Sequence, residues 1–526
     1  LPSSTSAVGC RSRWARATRW RMRAPGRSRR CSTGWNRLSR PRAERDGDTA
    51  SLNDYDLLHR ESRFMSRLII VSNRVAPISE GGPAAGGLAV GVYDALKETG
   101  GMWFGWSGDV LSSGQPQIKV EERGPVTFAT IALMRRDYDQ YYRGFSNATL
   151  WPAFHYRADL LQYDRHDFGG YCRVNAWLAQ QLVPLLREDD VIWVHDYHLI
   201  PFAQALRAAG VKNRIGFFLH IPFPASQVLL AVPPHRELVE ALCSFDLLGF
   251  QTAPDLRAFC DYIVNEANGT VDVSASGPLT VHAFGRTLRA AAYPIGVYPD
   301  EIAELAKAGE RGKPVRTMKA TLHSRKLIMS VDRLDYSKGL VERFRAFERL
   351  LEHSAAQRNK VSFLQIAPPT RADMHAYQDI RLQLEGESGR INGRFAELDW
   401  TPILYIHKQY ERSVLAALFR TAHVGYVTPL RDGMNLVAKE YVSAQDPENP
   451  GVLVLSRFAG AAQELGGALI VNPVDIDGMA EALASALAMP LAERQARHRD
   501  MMAQLRENNV SVWRDNFMRD LQRAQG

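Results

Sequence analysis

From Arg67 onward, short runs of consecutive apolar residues alternate with amphipathic stretches, and few folds accommodate that alternation. The runs are Leu68–Val71, Val191–Val194, Ile215–Leu219, Leu247–Phe250, Leu327–Val331, Val361–Ile366, Ile403–Ile406, Val424–Val427, Val452–Leu455 and Ala468–Val471. They are apolar on both faces and rich in Val and Ile, as buried parallel strands are. Between them Leu88–Glu98, Ala176–Glu188, Leu340–His353 and Ala372–Leu384 read as helices. Alternating strands and helices predict an α/β protein with parallel sheets. A chain of 526 residues is too long for one core. The stretch Tyr293–Pro299, with two prolines and a glycine, predicts a domain hinge. The expectation is two Rossmann-like domains, over 66–297 and 298–490, and a C-terminal helical segment over 491–526. In that segment Trp513 and Phe517 share one helical face.

The net charge of +8 does not belong to this body. Residues 1–64 hold 15 Arg, no Lys and 6 acidic residues, a net +9, which leaves −1 for the remainder. The basic balance is therefore no argument for a nucleic-acid partner. The segment is rich in Arg and Ser, lacks the apolar core of a secretory signal, and cannot bury enough apolar surface to offset chain entropy. It reads as an extension before a natural start at Met65, or else as an organelle transit peptide; the first reading is favoured. No apolar run approaches the ~20 residues that span a bilayer. Cys172, Cys243 and Cys260 in the body form no CxxC or Cys–His cluster, which fits a reducing cytoplasm.

In an open parallel sheet, ligands bind beyond the carboxyl ends of the strands. The residues just past each apolar run are therefore informative. These ends are Ser72-Asn73-Arg74, His195-Asp196-Tyr197-His198, His220-Ile221-Pro222-Phe223-Pro224, Asp332–Gly339, Pro368-Pro369-Thr370-Arg371 and Thr428–Asn435. Six such ends across two domains are hard to explain by packing, because charges there are costly to desolvate unless they meet a ligand. Arg333 and Lys338 could clamp a diphosphate leaving group or form surface ion pairs. Asp432–Val437 opens a helix whose amides suit phosphate or sugar oxygens, with Asp432 alternatively an N-cap. Glu440, further along, could accept from ribose hydroxyls. Gly81–Leu88 is no GxGxxG and by itself names no phosphate site. The aromatic block Tyr141–Arg157 has no helical period and reads as core or as a sugar platform. Two DxD patterns, Asp137-Tyr138-Asp139 and Asp475-Ile476-Asp477, read as a solvated face and a helix cap rather than a metal site.

These strand ends, with Trp103-Phe104-Gly105-Trp106-Ser107-Gly108, the Tyr142–Arg157 block and Asp432–Tyr441, resemble the motifs of trehalose-6-phosphate synthases, in the same order over about residues 66–520. The resemblance implies a GT-B fold, two facing Rossmann-like domains around a deep cleft. It implies retaining transfer of glucose from a nucleotide sugar, UDP-glucose above all, to glucose 6-phosphate, without metal or cofactor. Arg74, Tyr142 and Arg371 would hold the acceptor phosphate, Trp151 would pack on the acceptor sugar, and Asp196 would bind its hydroxyls. Gly87 would approach the donor, Arg333 and Lys338 its diphosphate, Glu440 its ribose. Tyr410, where the family often has Phe, would meet the base through its backbone. His220 and Asp432, with the amides of Gly433, Met434, Asn435, Leu436 and Val437, would hold the transferred glucose and phosphate. Arg333, Lys338, His220 and Asp432 are the catalytic set so implied. A dimer or tetramer is compatible with the resemblance. The rivals are a transferase with another acceptor, such as glycerol 3-phosphate, and a non-catalytic sugar-phosphate sensor.

Overall fold

The computed structural model describes residues 66–75, 78–79, 82–83, 93, 96–97, 100–273, 277–371 and 373–524. The Arg-rich segment, Gly87 and most of the expected helix Leu88–Glu98 lie outside these residues.

The first sheet has ten strands. Across it lie Thr270–Asp272, Leu279–Ala283, Arg286–Ala292, Leu247–Phe250, Arg214–Phe218, Val191–His195, Leu68–Arg74, Gly101–Leu111, Val126–Met134 and Lys119–Arg123. The seven from Arg286–Ala292 to Val126–Met134 are mutually parallel, and antiparallel strands extend both edges. The second sheet is parallel throughout: Ile403–Ile406, Val361–Ile366, Lys326–Val331, Val424–Val427, Val452–Ser456 and Leu469–Val471. Numbered in chain order, these six strands run 3-2-1-4-5-6, the doubly wound order, and six strands of the first sheet repeat it. Each sheet therefore has a switch point where helices leave on opposite faces. In the first it lies between Leu68–Arg74 and Val191–His195, in the second between Lys326–Val331 and Val424–Val427.

All ten expected strands are present, nine of them within a residue at each end and the first running three residues further, to Arg74. The helix expected at Ala176–Glu188 begins earlier, at Arg165, and ends in a 3₁₀ turn. The one expected at Ala372–Leu384 runs His375–Phe395. The aromatic block is helical after all. Tyr138–Leu150 is a π-helix, and Trp151–Phe154 continues it as α-helix. A π-helix bonds i to i+5, so its side chains do not recur at the 3.6-residue spacing sought in the sequence.

The C-terminal segment breaks into two helices, Leu491–Glu507 and Val510–Arg523. The former lies against the second sheet's helices, with His498 Nε2 3.1 Å from the carbonyl of Val442. The latter returns to the first sheet. Phe517 is fully buried, stacks on Trp193 with centroids 4.7 Å apart and meets Tyr293. Gly216 and Gly249 leave the room: a Cβ on either would lie 2.8 Å from the Phe517 ring. The chain thus crosses between the sheets twice, and the crossings touch. A Cβ on Gly296 would lie 2.2 Å from the carbonyl oxygen of Asn508.

Phe517→Ala empties a fully enclosed aromatic site. It is expected to destabilise the protein by about 3–5 kcal/mol, read as a lower urea midpoint. An unchanged midpoint would mean that the terminal helix is not part of the cooperative core.

Candidate active site

The first domain contributes one long wall. Arg74 closes its strand and lies over Trp106, guanidinium carbon 5.9 Å from the ring. Gly108, at φ +98, leaves space for that guanidinium; a Cβ there would lie 2.8 Å from it. Tyr142, on the π-helix, packs on Trp106 at 5.5 Å and stacks on His198 at 5.8 Å. His198 lies 3.9 Å from the ring of Tyr197, whose hydroxyl donates to Asn147. Next along the wall is Trp151, 4% exposed.

Asp196 sits past the strand end with φ +78 and ψ 164, a conformation that costs a non-glycine residue about 1–3 kcal/mol. Its Oδ1 accepts the backbone N–H of His220 at 3.2 Å. Burial pushes its pKa up to about 6, although the Tyr197 and His220 amides, Arg333 and Arg371 pull downward. His220 is oriented by a relay. Ile295 N–H donates to Gln251 Oε1, the Gln251 amide faces His220 Nδ1, and His220 Nε2 lies 3.0 Å from His195 Nδ1. Burial pulls the His220 pKa down to about 3, so the ring is neutral.

The second domain faces this wall with cations. Arg333 places its guanidinium 5.6 Å from the Trp151 ring, and Arg371 does so at 4.2 Å. Arg371, at φ +47, donates to Tyr197 at 3.1 Å and to Tyr377, and lies 3.5 Å from Asp335. Tyr377 in turn donates to Asp335 at 3.0 Å. Burial alone would raise the Asp335 pKa; Arg371, Lys338 and Arg333 hold it down at about 2. Gly339, at φ +65, turns the chain into the helix Leu340–His353, and a Cβ there would strike the Thr428 carbonyl at 2.4 Å. Behind the turn, fully buried Arg343 binds Asp332, Thr428 and the carbonyl of Lys338, so the loop carrying Lys338 is anchored from within.

Lys338 and Asp432 form an ion pair at 2.5 Å. Burial pushes the Asp432 pKa up, and Lys338, with His155 and Asn435, more than offsets it. Asp432 is not the cap of the helix Leu436–Ala444. Asn435 is, accepting from Ala438 N–H at 3.2 Å and donating to Asp432 at 3.0 Å. The first amides of that helix, Leu436 and Val437, point outward as those of any helix start do. Gly433 packs against the first domain: a Cβ would lie 2.2 Å from the His220 carbonyl oxygen.

The structure thus gathers Trp151, Asp196, His220, Arg333, Lys338, Arg371, Asp432, Gly433 and Asn435 into one contact network, which Arg74 and Tyr142 extend through Trp106 and His198. No hydrogen bond, ion pair or ring contact among the described residues joins Tyr410 or Glu440 to it. Glu440 is raised in pKa by burial and feels Arg412, and Tyr410 is half-buried on the second domain. Asn147, Tyr197, Asp335, Arg343 and Tyr377 were not singled out in sequence. Tyr197 and Asp335 lie in strand-end runs, so their place was legible. Arg343 and Tyr377 sit on ordinary amphipathic helices and carry no signal. Among the described residues no cluster of His, Cys, Asp and Glu has a metal-binding arrangement.

Two doubly wound domains that meet through cations, carboxylates and aromatic rings define a protein for phosphorylated, polar ligands. The chain belongs to glycosyltransferase family 20, whose model matches residues 73–523. It is 98% identical to a UDP-forming alpha,alpha-trehalose-phosphate synthase from Burkholderia xenovorans solved in complex with glucose-6-phosphate. That match covers 87% of this chain and 100% of the other, at a TM-score of 0.85. It is 54% identical to an E. coli protein solved bound with UDP-2-fluoro glucose, over 87% of this chain and 99% of the other, TM-score 0.82. A trehalose-6-phosphate synthase from Enterobacter sp. (strain 638) is 55% identical over 460 residues, 88% of this chain and 96% of its own length.

Asp196 gives a stability test with a defined sign. Its pKa in the fold, about 6, exceeds the ordinary 3.8, so its ionised form costs the ligand-free protein stability above pH 6. That cost fades as pH falls toward 4. Asp196→Asn is therefore expected to raise Tm at pH 7.5 and to lose most of that gain at pH 4.5. Equal shifts at both pH values would contradict the assignment.

Proposed function

We propose that this chain transfers glucose from UDP-glucose to glucose 6-phosphate with retention at the anomeric carbon, giving α,α-trehalose 6-phosphate and UDP. The observation that carries the reading is that Arg333 and Arg371 of the second domain both meet the Trp151 ring of the first. Neither domain alone makes the site.

In this reading Arg74, Tyr142 and Arg371 bind the acceptor phosphate, Trp151 lies along the acceptor sugar and Asp196 accepts from its hydroxyls. Arg333 and Lys338 bind the donor diphosphate and stabilise the charge that grows on it as the glycosidic bond breaks. Binding draws Lys338 from its pairing with Asp432 and frees that carboxylate for hydroxyls of the transferred glucose. The amides of Gly433–Val437 complete the cradle, while Gly87, Tyr410 and Glu440 hold the nucleoside side. His220, held neutral by burial, lies against the transferred glucose and does not act as a base. Asp335 is tied to Arg371 and Tyr377, and Asp432, once Lys338 has turned to the diphosphate, is held by Asn435 and the sugar hydroxyls. Among the described residues no pair of free carboxylates stands ready for a double displacement. The attack is therefore on the same face, with the departing phosphate oxygen taking the proton of the acceptor hydroxyl. Because Arg371 belongs to the opposite domain, acceptor binding is coupled to cleft closure, which excludes water and limits hydrolysis.

We assign the two Rossmann-like domains to 66–297 and 298–490, with 491–526 as the terminal helices. No helix among the described residues is long and apolar enough to cross a membrane. Cys172, Cys243 and Cys260 are unpaired thiols, which fits a reducing compartment and supports the cytoplasm as the setting.

Turnover of purified protein across UDP-, ADP- and GDP-glucose, with glucose 6-phosphate or glycerol 3-phosphate, tests the reading. UDP-glucose with glucose 6-phosphate is expected to lead; preference for glycerol 3-phosphate, or no turnover, contradicts it. Arg333→Ala is expected to lower kcat about 10²-fold or more. Arg74→Ala should act chiefly on the acceptor KM, in line with a charge-assisted contact of ~1.5–3 kcal/mol.

A further inference from the structure

Trp151 and His155 lie one turn apart on the segment that meets the second domain, ring centroids 4.0 Å apart. They are 4% and 2% exposed. His155 Nδ1 lies 2.8 Å from the Trp151 carbonyl oxygen. A carbonyl only accepts, so Nδ1 carries the hydrogen of that bond, and Nε2 of the neutral ring is a lone pair. Burial favours that neutral ring and brings its pKa down to about 4. Among the described residues Nε2 has no hydrogen-bond partner, and neither has the indole Nε1–H of Trp151. Buried polar atoms without partners are uncommon and ask for a reason.

His155 packs on Trp151, which meets Arg333 and Arg371 of the second domain, and the charges acting on His155 (Asp335, Lys338 and Asp432) belong to that domain too. None of them satisfies Nε2. Carboxylates cannot donate, and the Lys338 ammonium, which donates to Asp432 at 2.5 Å, makes no bond to it. An ionised phosphate cannot donate either. A buried acceptor beside a buried donor fits a group that does both, as a sugar hydroxyl does.

We propose that His155 Nε2 accepts a hydrogen bond from a sugar hydroxyl in the cleft, with Trp151 Nε1 donating to the same or an adjacent hydroxyl. His155 is then a substrate-binding residue that reads sugar and not phosphate. The proposal rests on the transferase reading above and adds to it a contact outside the residue set that the resemblance implies.

The test is steady-state kinetics of wild type, His155→Asn and His155→Gln with the parent substrates and with single-position deoxy forms of UDP-glucose and of glucose 6-phosphate. Asn keeps a donor toward the Trp151 carbonyl and deletes the group at Nε2; Gln returns an amide oxygen near that position. His155→Asn is expected to lower kcat/KM about 5–20-fold with the parent pair. One deoxy substrate should show no further loss in that variant, and Gln should recover part of the activity. The position found in the donor series assigns the hydroxyl to the transferred glucose; found in the acceptor series, to the acceptor. Equal losses with every deoxy form, or no loss at all, overturn the proposal. Failure of the transferase reading itself is separate, since wild type would then not turn over the parent pair. Should His155→Asn not fold by circular dichroism, His155→Phe keeps the ring and carries the same comparison.

Discussion

One side chain ties the two halves of this protein together. Arg371 leaves the edge of the second sheet in a left-handed conformation and lies over Trp151 of the first domain while bonding Tyr197. A guanidinium held over an indole and away from water is worth about 2 kcal/mol, and less where exposed. Its position is set by Asp335 and Tyr377 behind it. Arg431 over Tyr156 at 3.7 Å, Arg157 over Tyr336 at 5.5 Å and the Arg143–Asp373 ion pair at 2.7 Å extend the same seam. Nearly all these contacts fall on two stretches of the first domain, the π-helix and the turn after it.

The carboxyl edges of both sheets carry groups that a folding chain would otherwise avoid. Asp196 is strained at its backbone and desolvated at its carboxylate. Four histidines, His155, His195, His198 and His220, are held neutral by burial. Arg343 is wholly enclosed. Such groups persist only when the surrounding structure determines them, and they gather where ligands are bound. The cost is met elsewhere, by two parallel sheets buried on both faces and by a terminal helix that packs Phe517 into the space over Gly216 and Gly249.

The architecture was legible in the sequence because buried parallel strands are continuous apolar runs. The strands not anticipated there are Gly101–Leu111, with its glycines and tryptophans, Val126–Met134, Arg286–Ala292, the strands Lys119–Arg123, Thr270–Asp272 and Leu279–Ala283 at the sheet's ends, and the short pair Ile78–Ser79 and Gly82–Pro83. Their alternation or polarity reflects one wet face or an antiparallel neighbour. Strand-end residues announced the site, since only a ligand explains charges at so many sheet edges. The chain alone did not reveal which charges pair. Lys338 and Asp432 were read separately and are partners. Asp432 left the helix cap open as a reading, and Asn435 fills it. The supporting residues Arg343 and Tyr377 lie on helices whose apolar period hides them, because a buried arginine on an amphipathic helix looks like a solvated one until its neighbours are known.

The central claim is that residues from opposite domains build one acceptor site. Calorimetric titration of glucose 6-phosphate into wild type and into Arg371→Ala tests it most directly. The account predicts one site per chain, weakened about 10–100-fold by the substitution, as for loss of a charge-assisted hydrogen bond, even though Arg74 and Tyr142 on the other domain are untouched. Unchanged affinity in Arg371→Ala would contradict it.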